Sequence, residues 1–240
     1  MVLLVYFGLT QCRQPRVIVV MITHLLEPSE FVAVVQPLLA RQDANGLREV
    51  LRARWTTDQI KAILHSDNTD ARKVACLALA LIGRKCAIPC VAEQLKDPDE
   101  VVNQMAEHAL LSIWLRAGTE DANAALWRGM RALDRRDIEC AMKHFTKAID
   151  LDPTFAEAYN QRAIAKYLGE RYDESIEDCL EAIERMPCHF LAWSGMGHCH
   201  AHSGRMKDAV RCYERAIAIN PHLEAVREAL RELKRDRREV

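Results

Sequence analysis

An all-α protein built from stacked helical hairpins is predicted by three observations. The 240-residue chain has only 9 Gly and 8 Pro, too few for a turn-rich β-protein or a disordered chain, and it abounds in Ala, Leu, Arg and Glu, which enter helices at little cost. Apolar residues recur at helical spacing along most of its length. Pro153, Pro187 and Pro221 close three similar phrases at a common spacing of 34 residues: Lys147-Ala-Ile-Asp-Leu-Asp-Pro, Glu181-Ala-Ile-Glu-Arg-Met-Pro and Arg215-Ala-Ile-Ala-Ile-Asn-Pro.

The first stretch, residues 1–28, is apolar from Met1 to Leu9 but meets Arg13 and Arg16, well short of the roughly 20 apolar residues a membrane span needs. It reads as a loosely ordered or untranslated tail, with Met21 an alternative start. Helices are expected at 29–41, 44–54, 56–66, 69–83, 87–96 and 99–117. Thr56 and Gln59 form a capping box, Pro98 opens the last helix, and Pro37 predicts a kink or a later start for the first.

Among these helices a pair of phrases echo each other: Asp67-Asn-Thr-Asp-Ala-Arg72 with Ala75, Cys76, Ala78 and Leu79, and Asp97-Pro-Asp-Glu-Val-Val102 with Ala106, Ala109 and Leu110. The pattern resembles the HEAT-type repeat, in which an Asp-containing turn leads into a helix bearing an early Arg. Arg72 matches that Arg and Val102 departs from it. Residues 29–118 are assigned to a HEAT-like array, with a seam at Ala117-Gly118-Thr119.

Residues 119–240 hold the 34-residue phrases. At equal offsets before each proline stand Gly129/Ala163/Gly197, Ala141/Ser175/Ala209 and Ala148/Ala182/Ala216, all small, with bulky Phe145 and Tyr213 at a matching offset. Small residues let paired helices approach closely. The pattern resembles the tetratricopeptide repeat, in three copies over 122–153, 156–187 and 190–221. Leu223, Val226, Leu230 and Leu233 then mark a one-sided helix, 222–236, that closes the stack.

Charge and cysteine content exclude several classes. Lys and Arg total 33 against 34 Asp and Glu, so no global field draws in nucleic acid or a membrane. Nine cysteines are scattered through helical patterns, which reads as reduced thiols in a cytoplasmic protein. No phosphate loop, nucleophile motif or carboxylate pair stands out, so no catalytic residue and no cofactor is assigned. His198 and His202 share a helix face at a spacing that can hold a metal, but two ligands make no site.

The resemblance to tetratricopeptide repeats implies a concave groove lined by the first helix of each hairpin. It places Leu126, Met130, Asn160, Ile164, Tyr167, Leu168, Ser194, His198 and His202 on a peptide-binding face. Family members that hold the acidic C-terminal tails of the major cytosolic heat-shock chaperones use a clamp of Lys, Asn and Arg. The corresponding Leu126, Met130, Gln161, Leu191 and Gly195 carry no positive charge, so no chaperone tail is expected there. The chain reads as a non-catalytic scaffold or adaptor for another protein. A bilin lyase-like enzyme with HEAT-type repeats and a metal- or haem-responsive regulator built on the His-rich third repeat are the alternatives.

Overall fold

The computed structural model describes residues 26–236, and the expected tail falls almost wholly outside them. The described residues form helices and turns, with no strand. The N-terminal array contains α1 (Pro28–Ala40), α2 (Ala44–Arg54), α3 (Thr57–Ile63), α4 (Thr69–Ile82), α5 (Ile88–Glu93) and α6 (Glu100–Trp114). The C-terminal array contains α7 (Glu120–Asp134), α8 (Ile138–Leu151), α9 (Ala156–Leu168), α10 (Tyr172–Arg185), α11 (Phe190–His202), α12 (Met206–Ile219) and α13 (Glu224–Asp236).

Short polar side chains start many of these helices by accepting from backbone N–H groups the helix leaves unpaired. Asp43 takes Gly46 N at 2.8 Å and Asn68 takes Ala71 N at 3.1 Å. Thr56 and Gln59 form the expected box. Two local expectations are corrected. Pro98 does not open α6, because Asp99 caps it by accepting from Val101 N and Val102 N. Of the two outcomes expected of Pro37, the later start does not occur, since α1 begins at Pro28 and runs past Pro37 to Ala40.

Arg72 and Asp97 explain the two echoing phrases. The guanidinium grips the carboxylate of the next turn through Nε at 2.7 Å and Nη2 at 3.1 Å, while Nη1 donates to Ser66 O at 2.9 Å. The fork ties one turn of the first array to the next.

In the second array the hairpins pair by volume. A Cβ on Gly129 would clash with the edge of the Phe145 ring, and one on Gly197 would stand 2.5 Å from the Tyr213 ring. Each aromatic therefore requires the glycine opposite it. The middle hairpin has Ala163 and Cys179 at these offsets. Arg136, Glu170 and Gly204 turn their hairpins at φ of 60°, 59° and 73°, so the 34-residue register is also written in the backbone. Val226 of α13, with Leu223, Leu230 and Leu233, covers Tyr213 and Ala216.

The two arrays share one core. Ala156, Met186 and Phe190 from the second array are buried in the same cluster as Phe31, Leu79, Leu110 and Trp114. The first array thus lies against the turns that lead into α9 and α11, and it reaches the base of the groove.

Candidate functional site

Helices α9 and α11 lie side by side and present residues one turn apart to the same furrow. Asn160, Ile164 and Tyr167 come from α9, and Leu191, Ser194, Gly195 and His198 from α11. Between them opens a cavity of about 220 Å³ whose floor is Ala163, Ser175 and Cys179. Its cause is the volume pairing described above: the middle hairpin has a thiol where Phe145 and Tyr213 fill the others. Gly195 adds space from above, because a Cβ there would first meet Cys179 Sγ, at 3.7 Å.

The polar groups around the cavity are ordered by bonds to one another. At its base Glu157 accepts from Gln161 Nε2 at 2.6 Å, Asn160 Nδ2 at 3.3 Å and His189 Nε2 at 2.9 Å. His189 Nδ1 accepts from Ala192 N at 3.2 Å, which puts the ring proton on Nε2, facing the carboxylate. The His189 ring stacks on Trp114 of the first array, with centroids 4.2 Å apart. A chain of contacts therefore runs from α6 through His189 and Glu157 to Asn160 in the cavity wall.

At the other end Tyr213 Oη lies 2.8 Å from His198 Nδ1. Burial pushes the Tyr213 phenol up to about 12, so it stays protonated and donates. Burial, and then repulsion from His202, pull His198 below the ordinary imidazole range, so its ring is a neutral acceptor. Tyr167 Oη pairs with His202 Nε2 at 2.8 Å, and His202 stacks on Tyr172 at 5.3 Å. No Asp, Glu, Lys or Arg lines the cavity, which suits an apolar occupant with a few hydrogen-bonding groups.

Of the residues placed on the peptide-binding face, Asn160, Ile164, Tyr167, Ser194 and His198 line the cavity, with His202 bonded to its rim. Three others lie outside it. Leu126 has no exposure and is packed in the core cluster that the first hairpin shares with the next. Met130 is half-buried against that same core. Leu168 is 53% exposed and does not line the cavity. Asn160 is also more enclosed than a groove-facing amide, since Glu157 holds its Nδ2. Ser175 and Cys179 were missed as site residues, while Leu191 and Gly195 entered only as clamp-equivalent positions of the groove. The signal was present in Cys179, the one small residue at an offset otherwise aromatic.

His198 and His202 each bond a tyrosine hydroxyl, and among the described residues no group of three or more His, Cys, Asp or Glu is placed to hold a metal ion. His189, the other histidine near α11, is buried against Glu157. The described cysteines are free, and burial raises the thiols of Cys199 and Cys179, and of Cys212 to about 11. No helix among the described residues is long and apolar enough to cross a membrane.

Residues 57–139 match the family of HEAT repeats and residues 190–223 the tetratricopeptide repeat. The chain is 29% identical over 102 residues to the small glutamine-rich tetratricopeptide repeat-containing protein 2 of Mycosarcoma maydis, which covers 42% of this chain and 29% of that protein. It thus spans less than a third of that relative's length. Among solved structures it resembles the first tetratricopeptide domain of Spaghetti (RPAP3) bound to the HSP90 peptide SRMEEVD, at 20% identity and a TM-score of 0.48, over 49% of this chain and 94% of that one. It also resembles the second such domain of human RPAP3 in complex with the HSP70 peptide SGPTIEEVD, at 23% identity and a TM-score of 0.46, over 48% of this chain and 95% of that one.

The expectation that no chaperone tail is held is corrected: the proteins this chain is similar to include the two RPAP3 domains bound to HSP90 and HSP70 peptides and the Hsp70-Hsp90 organizing protein of Triticum aestivum, 28% identical over 114 residues, which make up 48% of this chain and 20% of that protein. The physical reason is that the expectation counted cations at five positions only. Uncharged residues there remove one set of contacts and leave in place the apolar lining supplied by Ala163, Ile164 and Cys179.

Proposed function

We propose, for a chain that carries both HEAT and tetratricopeptide repeats, that it is a non-catalytic adaptor whose groove between α9 and α11 holds a peptide segment of a partner protein. The observation behind this reading is the cavity of about 220 Å³ at the groove floor. It is apolar, free of ionised side chains, and walled by residues from two successive repeats. An apolar side chain of the partner enters it and anchors the peptide, while Ser194, Tyr167 and His202 meet the peptide backbone from the rim. Related domains that hold chaperone peptides make a peptide ligand the natural class to test.

The test is fluorescence polarisation of the full chain with labelled peptides, beginning with SRMEEVD and SGPTIEEVD and extending to peptides that vary one apolar position. Saturable binding that weakens at least tenfold when the apolar anchor becomes Gly supports the adaptor. Binding indifferent to the anchor, or no binding by any member of the panel, overturns it.

A further inference from the structure

A second site lies on the first array, away from the groove. Arg48 and Arg52 stand one turn apart on α2, Arg84 and Lys85 follow α4, and Arg116 follows α6. Together they line one open basin of about 770 Å³ whose wall contains no Asp or Glu. Among the described residues none of the five forms an ion pair with a carboxylate, whereas Arg72, Arg162, Arg171, Arg185 and Arg205 all do. Like charges at i and i+4 on a helix repel, so Arg48 and Arg52 destabilise α2 unless something else compensates them.

Arg116 is the fixed point of the cluster. Its Nη1 donates to Ser112 O at 2.8 Å, Nη2 to Leu79 O at 3.0 Å and Gly83 O at 3.1 Å, and Nε to Gly83 O at 3.4 Å. These carbonyls hold the guanidinium in place without neutralising it. Burial, and then repulsion from Arg48 and Arg52, pull Arg116 below the ordinary guanidinium range, a sign of how close the three charges lie. Lys85 Nζ donates to Thr154 O at 3.3 Å, so the rim of the basin touches the second array as well.

The size and charge narrow the ligand. Small-molecule sites occupy about 300–1,000 Å³, and the basin falls within that range. An extended peptide advances about 3.3 Å per residue, so few carboxylates would fit. A phosphate group brings about −1.5 to −2 with three acceptor oxygens, and guanidinium forks match its geometry. We propose that this basin binds a small molecule or headgroup bearing two or more phosphates, contacted by Arg48, Arg52, Arg84 and Lys85 around the fixed charge of Arg116. A soluble polyphosphorylated metabolite and a polyphosphorylated lipid headgroup share this chemistry.

The experiment is calorimetric titration of the full chain with inositol hexakisphosphate, alongside inorganic phosphate and vesicles of phosphatidylcholine with or without a phosphorylated inositol lipid. The test variant is Arg48→Gln with Arg52→Gln, whose side chains are exposed; the control is Arg128→Gln with Arg131→Gln on α7. Circular dichroism confirms that both fold. Binding of inositol hexakisphosphate that weakens at least tenfold in the test variant and less than twofold in the control supports the site. Capture by the phosphorylated vesicles alone then assigns a lipid source, and lack of it a soluble one. No binding to inositol hexakisphosphate or to phosphorylated vesicles, an equal loss in both variants, or equal affinity for inorganic phosphate overturns the proposal.

Discussion

Gly195 stands over the sulfur of Cys179 with room to spare, since a Cβ on the glycine would lie 3.7 Å from Sγ. At Gly129 and Gly197, by contrast, the glycine faces an aromatic ring and no space remains. The contrast makes two glycines two positions apart on one helix behave in opposite ways. Gly195→Ala is expected to raise stability by about 0.5–1 kcal/mol, because glycine inside a helix is entropically unfavourable and the methyl enters open space. Gly197→Ala is expected to lower it by about 1–3 kcal/mol, because the methyl meets the Tyr213 ring. Urea unfolding of the two variants settles the signs.

Arg72 and Asp97 provide a test of the first array. Their side chains are 13% and 5% exposed, and removing one partner of such a pair leaves a buried charge behind. Arg72→Ala is expected to cost about 3 kcal/mol. Arg211→Ala, whose side chain is 79% exposed beside Asp208, should change stability by no more than about 0.5 kcal/mol. Similar losses in the two variants would show that Arg72 does not join the repeats.

The helices and the hairpin register were legible because they follow from periodicity, caps and small residues at fixed offsets, all local to the chain. Cys179 was also visible as a break in the aromatic series. What was not legible is tertiary packing that repeat spacing does not encode. Leu126 and Asn160 stand at equivalent positions 34 residues apart, yet Leu126 is packed in the core, and Asn160 turns to a carboxylate held by His189. The shared core of the two arrays was equally hidden, because Trp114 and His189 are far apart in sequence and neither belongs to a repeat signature at that contact.

The hairpin turns give a third prediction. Glu170 holds φ of 59° where the equivalent position in the next hairpin is Gly204 at 73°, and a side chain in this region costs about 1 kcal/mol. Glu170→Gly should raise stability by up to that amount. Gly204→Ala, with nothing within 4 Å to clash, should lower it by about 1 kcal/mol through strain alone. Thermal melts that move in the same direction for both would contradict the shared turn.

Acid should weaken the second array through His198. Its pKa is lowered from 6.5 in the fold by burial first and by His202 second. Below 6.5 the unfolded chain binds the proton more readily than the folded one, so stability rises with pH there. The contribution is complete above 6.5 and is lost as pH falls from 6.5 toward the lower folded value. His198→Gln should flatten the dependence of urea midpoint on pH in that window; an unchanged slope would show that the ring is not held neutral.

The most direct test of the groove is selection of random peptides by the full chain, repeated with Gly195→Leu, which fills the space above Cys179. The account predicts that the wild-type chain enriches peptides sharing one apolar residue, that Gly195→Leu weakens them at least tenfold, and that its helicity and melting temperature are kept or raised. Peptides that bind Gly195→Leu as well as the wild type would place the binding surface outside this cavity and contradict the account.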